Sequence, residues 1–188
     1  MTTFEPFTLQ TSRLALRFLT ESDASALFDI YSHPEVMRYW SWPPWTEKDQ
    51  AQQMLLSAHD GYNTGNALQL GIERLTDQVL IGSCSLFHFN LPSRRAEIGY
   101  ILGRPYWGFG YMHEALQTLL RYAFLTLDLN RLEADIDPRN QASAKTLERL
   151  GFQQEGYLRE RWIVNDEVSD TALYGLLRRE WQEHTKSI

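Results

Sequence analysis

Apolar and polar residues alternate in Arg13-Leu14-Ala15-Leu16-Arg17-Phe18 and again from Leu68 to Arg74, the period of a half-buried strand. Val79 to Asn90 is a longer run of the same kind. Leu91-Pro92-Ser93 turns it into an apolar segment, Ala96 to Leu102, that carries a glutamate, Glu97. The period then changes. Met112, Leu116, Leu119 and Ala123 recur on one helical face beside Ala115, Leu120 and Phe124, which predicts a helix from Gly110 to the neighbourhood of Asp128-Leu129-Asn130. Arg131 to Ile136 reads as the next strand, and because a helix connects them it should run parallel to Ala96–Leu102. Asn140 suits the N-cap of a following helix and Gly151 the position just past its end. Gln153–Val164 and Val168–Leu177 predict a hairpin about Asn165-Asp166, with a short helix over Arg178–His184. Upstream, Thr20-Glu21-Ser22-Asp23 carries capping chemistry for a helix through Tyr31, which His33-Pro34 breaks, with His33 a helix-end or loop residue. Thr46-Glu47-Lys48-Asp49 opens another helix to about Asp60, with Gly61 to Asn66 ending it. The expected fold class is α/β: a single domain over residues 1–188, with a mixed, mostly antiparallel sheet and flanking helices.

Composition narrows the function. The chain has 188 residues, 43% hydrophobic and 22% charged, which is ordinary for a globular protein. Its formal charge is −6 and no basic stripe appears, so nucleic acid is not an expected partner. An acidic surface mildly favours cationic amines. No apolar run is long enough to span a bilayer, and Met1 to Glu5 lacks the pattern of a signal peptide. The single cysteine, Cys84, sits in a strand pattern and reads as a packed thiol. A cytoplasmic protein without a membrane partner is expected.

Two stretches carry candidate chemistry. Gly108 and Gly110 stand between the Glu97 strand and a helix. The first N–H groups of a helix lack intrahelical partners, and glycine lets a ligand approach them closely, so the turn suits an anion such as phosphate. The P-loop and dinucleotide fingerprints both fail there: no Gly-Lys-Ser/Thr follows and the third glycine is missing. The same glycines would also serve a simple tight turn. The second stretch, Met37 to Trp45, packs three tryptophans and two prolines into one loop, either as the wall of a pocket or as a cover for the core.

Glu97-Ile98-Gly99-Tyr100 followed by Tyr106 to Ala115 resembles motif A of the GNAT family of N-acetyltransferases, and Asn140-Gln141-Ala142-Ser143 through Leu150-Gly151-Phe152 resembles that family's later helix. The resemblance runs from Thr11 to the end and is nearest to the ribosomal-protein N-terminal acetyltransferase (RimJ/RimL-like) branch. It implies a sheet splayed between its fourth and fifth strands, here Ala96–Leu102 and Arg131–Ile136, with acetyl-CoA in the V. The N–H groups of Gly108, Phe109, Gly110, Tyr111 and Met112 would cup the pyrophosphate, with Trp107 beside them. Ile101, Leu102 and Gly103 would pair with pantetheine, and Asn140 would bond its amides. Many members carry Gln or Arg where this chain has Pro105, so Arg104 is the expected source of positive charge.

Acetyl transfer needs a base for the ammonium, a donor for the oxyanion, help for the leaving thiolate and close approach of the substrates. It needs no metal. The resemblance supports Glu97 as base, with His88 as the alternative, being near the right pKa unaided. Glu114 fits a structural role in the first turn of a helix. The family's usual tyrosine acid falls on Leu147; in the branch this chain resembles Ser143 takes its place, which implies that it serves the leaving sulfur, and otherwise it satisfies backbone groups of its helix. Trp40, Trp42 and His88 are expected on the acceptor side. The implied acceptor is a protein N-terminal α-amine, with a polyamine, an aminoglycoside or an amino-acid-like metabolite as alternatives. A non-catalytic acyl-CoA-binding module is the rival reading, and a homodimer is implied by analogy.

Overall fold

The computed structural model describes residues 3–186. Eight strands form one sheet in the order β1-β2-β3-β4-β5-β6-β8-β7, where β1 is Thr8–Gln10, β2 Leu14–Phe18, β3 Leu68–Arg74, β4 Val79–Asn90, β5 Arg95–Leu102, β6 Arg131–Ile136, β7 Gln153–Val164 and β8 Glu167–Leu177. The β5–β6 pair is parallel, as the helical crossover requires, and every other pair is antiparallel. The helices are α1 (Ala24–Tyr31), α2 (Pro34–Met37), α3 (Asp49–Thr64), α4 (Tyr111–Leu125), α5 (Gln141–Arg149) and α6 (Arg178–Lys186). Helix α4 lies against β1, β2, β4 and β5, whereas α1 and α3 pack on each other and on β4 and β3. The predicted apolar face of α4 is the buried one: Ala115, Leu116, Leu119, Leu120, Ala123 and Phe124 join a core that runs from Leu14 to Leu176.

Several expected boundaries move. The short β1 was not foreseen, and it makes the splayed strands the fifth and sixth rather than the fourth and fifth. Helix α3 continues through Gly61 to Thr64 and stops at Gly65, whose φ of 70° is the left-handed cap. Gly61 is there for space, since a Cβ on it would stand 2.9 Å from the Ala67 carbonyl. Helix α4 ends at Leu125 rather than near Asp128, which adopts a left-handed φ of 53° and turns the chain toward β6. Asn165 and Asp166, both with positive φ, make the β7–β8 turn where it was expected. His33 caps α2 through its ring nitrogen, which accepts from Glu35 N–H at 3.2 Å.

Candidate active site

The site begins where the sheet comes apart. Arg95, Ala96 and Glu97 of β5 pair with Arg131, Leu132 and Glu133 of β6. Beyond Glu97, β5 stays with β4 while β6 stays with β8, so a V opens between them. Gly103 N–H bonds the Ile81 carbonyl at 2.8 Å, which fixes the alternation of β5. The Gly103 N–H and the main-chain groups of Ile101 therefore face β4, the Gly103 carbonyl accepts Tyr106 N–H at 3.0 Å, and the main-chain groups of Leu102 and Tyr100 face the V. Of the expected stretch Ile101–Gly103, Leu102 alone turns toward the opening. Its carbonyl accepts the Trp107 indole N–H at 2.7 Å, which holds Trp107 at the edge.

Gly108 and Gly110 have φ of 84° and 77°, and α4 starts at the next residue, Tyr111. A Cβ on Gly108 would meet nothing within 4 Å, so the residue is glycine for its backbone and the turn faces open space. The turn is braced from β2's side of the molecule. The Glu114 carboxylate accepts from the Thr11 hydroxyl at 2.5 Å, Arg13 N–H at 3.1 Å and the Arg13 guanidinium at 2.6 Å. The same guanidinium donates to the Phe109 carbonyl at 3.0 Å and lies 4.6 Å over the Tyr111 ring. Burial pushes the Glu114 carboxyl up, but Thr11 and Arg13 outweigh it and hold the group below the usual carboxylate range. Arg104, expected to bring charge to the turn, pairs instead with Glu35 at 2.6 Å and lies over Trp107. Arg13 is a cation in contact with the turn, a partner more than ninety residues away that no local pattern announces.

A cavity of about 470 Å³ lies along the V, and Trp40, Trp42, His88, Glu97, Asn140 and Ser143 all line it. The expected acceptor-side and catalytic side chains thus come together. The Glu97 side chain is 29% exposed and one of its oxygens lies 3.1 Å from His88 Nδ1. His88 reaches it because β4 bulges between Phe87 and Asn90, with His88 at a φ of 50°. Asp135 of β6 faces the same cavity and was not foreseen. Burial raises its carboxyl above the usual range, and nearby Glu97 adds to the rise.

Ser143 lies in the first turn of α5, where the Asn140 side chain caps the helix by accepting Ser143 N–H at 3.1 Å. The Ser143 hydroxyl is 2.7 Å from the Tyr100 hydroxyl, which reaches across the V from β5. Leu147, at the position of the family's usual tyrosine, is fully buried in the core. The aromatic loop serves both expected roles. Trp45 is buried and stacks on Tyr31 at 4.5 Å, while Trp40 and Trp42, 4.7 Å apart, face the cavity. Glu167 at the β7–β8 turn ties the loop down: it accepts from Arg38 at 3.1 Å and Arg139 at 2.6 Å, and Tyr39 lies within cation–π distance of both guanidinium groups.

The arrangement supplies an anion seat at a helix N-terminus, a carboxylate–imidazole pair able to receive a proton, and a paired hydroxyl able to donate one. Comparison with known proteins identifies the family. The sequence profile of the acetyltransferase (GNAT) domain matches residues 13–153. The uncharacterized N-acetyltransferase p20 of Bacillus licheniformis is 41% identical over 175 residues, covering 93% of this chain and 98% of its own. The ribosomal protein uS5-alanine N-acetyltransferase of Escherichia coli is 28% identical over 179 residues, covering 92% of each. The crystal structure of spermidine N-acetyltransferase from Vibrio cholerae, in complex with CoA and spermine, superposes with a TM-score of 0.81 at 23% identity, over 92% of this chain and 99% of that one, a likeness of fold. On the profile match and the p20 relative together, the chain belongs to the GNAT family of N-acetyltransferases.

Proposed function

We propose that this chain is a cytoplasmic enzyme that moves the acetyl group of acetyl-CoA to a primary amine, with a protein N-terminal α-amine as its acceptor. The observation that carries the reading is the V between β5 and β6, with the glycine turn beside β5's end and the Glu97–His88 and Ser143–Tyr100 pairs within it. The choice of acceptor rests on the likeness to the uS5-alanine enzyme across nearly the whole chain.

The residues present fit acetyl-CoA. The open space at Gly108 leaves the N–H groups from Gly108 to Met112 accessible to a diphosphate. The Leu102 N–H and the main-chain groups of Tyr100 are offered to pantetheine in the manner of an added strand, the Leu102 carbonyl being held by Trp107. When bound, acetyl-CoA supplies the activated acetyl group. Glu97 takes the proton that the acceptor ammonium must lose before it attacks, and His88 orients that carboxylate. Ser143 donates a hydrogen bond to the sulfur as the C–S bond breaks. Trp40 and Trp42 wall the acceptor's path.

A small cationic amine is the second reading, favoured by one observation: Asp135 and Asp137 join Glu97 on the cavity wall. Incubating purified ribosomal proteins and, separately, spermidine with the enzyme and labelled acetyl-CoA decides between them by mass spectrometry. Label on a protein N-terminus supports the first reading. Label on spermidine alone overturns the choice of acceptor, and label on neither overturns both.

A further inference from the structure

Ser143 has two possible settings for its hydroxyl proton, and the rest of α5 shows the ordinary one. Thr146, on the same helix, donates its hydroxyl back to the Ala142 carbonyl one turn earlier, at 2.8 Å. A serine that did this would have its proton locked into the helix and turned from the V. Ser143 instead meets a side chain from another strand, the Tyr100 hydroxyl at 2.7 Å. Burial pushes the Tyr100 phenol above its ordinary range, so it keeps its proton throughout the pH range in which amines are acetylated. The phenol has two acceptors within reach, the Ser143 hydroxyl oxygen at 2.7 Å and the Ser143 carbonyl at 3.4 Å, and at the shorter contact either hydroxyl can be the donor. When the phenol donates there, the Ser143 oxygen accepts and its own proton is left to point elsewhere. The space before it is the cavity that both residues line.

We propose that Tyr100 is a positioning residue: by donating to Ser143, it aims the serine hydroxyl at the thiol end of bound CoA. This rests on the sulfur role given to Ser143 above. The helix position that would hold a tyrosine acid is filled by Leu147, and the hydroxyl pair assembles a donor from β5 and α5 in its place.

The test requires no acceptor. A hydroxyl aimed at sulfur stabilises the thiolate, so it lowers the pKa of the CoA thiol in the product complex. Thiolate absorbance in the ultraviolet, followed against pH with saturating CoA, reads this directly. Tyr100→Phe keeps the ring and removes the donor. We expect the bound thiol's ionisation constant to fall by about fivefold in Tyr100→Phe, the size of one lost hydrogen bond. Ser143→Ala should show the same fall, and the double variant no more than either single change. CoA affinity should stay within about twofold, a split that general loosening of the fold would not produce. If Ser143→Ala shifts the thiol and Tyr100→Phe does not, or if the two losses add, the positioning role fails while the sulfur role stands. If neither variant shifts the thiol, both fail.

Discussion

The two ends of the V are built from different material. At the glycine turn the groups proposed to act are main chain: Gly108 and Gly110 bend the backbone, and the start of α4 supplies the N–H groups. At the acceptor end they are side chains gathered from the aromatic loop, β4, β5, β6, α5 and β7. A main-chain site is encoded over a few consecutive residues. A side-chain site is encoded by which strands become neighbours and where they bulge. The first tolerates almost any side chain that leaves the backbone bare, while the second depends on each residue and each register.

The sharpest test of the main-chain end is to put charge on it. Gly108→Asp sets a carboxylate where a diphosphate would sit, and like charges in contact cost several kcal/mol. Acetyl-CoA affinity measured by calorimetry should drop by about a hundredfold or more. The open position admits a side chain but its left-handed φ strains any residue except glycine, so Gly108→Ala is the control that separates strain from charge. Near-normal binding would mean that the turn is only a turn.

At the side-chain end the largest effect should come from Glu97→Gln. A general base contributes about 10²–10⁴-fold, so kcat at neutral pH should fall by about a hundredfold while acetyl-CoA affinity is retained. The deficit should narrow as pH rises, because more of the acceptor is then already the free amine. A wild-type pH–rate profile would remove Glu97 as the base and pass the role to His88, the alternative base, with Asp135 next on the same cavity wall.

This difference between the ends explains what could be read from the chain. The apolar periods announced β2 to β8 and α4, and the glycine turn and the Asn140 cap were local signals that held their positions. The parallel pairing of β5 and β6 followed from a helix joining two strands, whereas the opening between them was implied only by the family resemblance. The short β1 has too few residues to show a period. Gly61 looked like a stop and proved to be a place where α3 passes close to Ala67. The bulge that brings His88 to Glu97 contains no glycine to announce it. Arg104 stood beside the turn in sequence, yet its charge goes to Glu35, and Arg13 arrives from the other end of the chain. The Tyr100–Ser143 and Arg38–Glu167–Arg139 contacts each join segments far apart in sequence, and only the folded register makes them visible.

A smaller effect should separate the two ends by substrate. Glu167→Ala releases Arg38 and leaves Arg139 held by Asp137 alone, which loosens the loop that carries Trp40 and Trp42. These groups are exposed, and exposed ion pairs contribute little, so KM for the acceptor should rise by only about two- to fivefold. KM for acetyl-CoA should not move, since the glycine turn shares no contact with this network. The acceptor effect should shrink in high salt, where screening has already weakened the ion pairs. Equal changes in both KM values would show that the two ends are not independent.

The smallest effect concerns the brace behind the turn and is read from stability. Folding holds the Glu114 carboxyl below its ordinary range, because Thr11 and Arg13 outweigh the cost of burying it. The unfolded chain therefore binds the proton more readily than the folded one. The resulting stabilisation is fully present above the unfolded pKa, near 4.3 for a free glutamate, and is lost as pH falls through the depressed folded value. Glu114→Gln removes this contribution, so at pH 7 it should lower Tm by about 2–4 °C. As pH is taken down through the acid range the two melting temperatures should converge, since wild type then loses by protonation what the variant already lacks. A Tm gap that stays constant down to the acid limit would assign the loss to packing around α4 rather than to charge. The turn would then be held by its own glycines, without the Arg13–Glu114 pair.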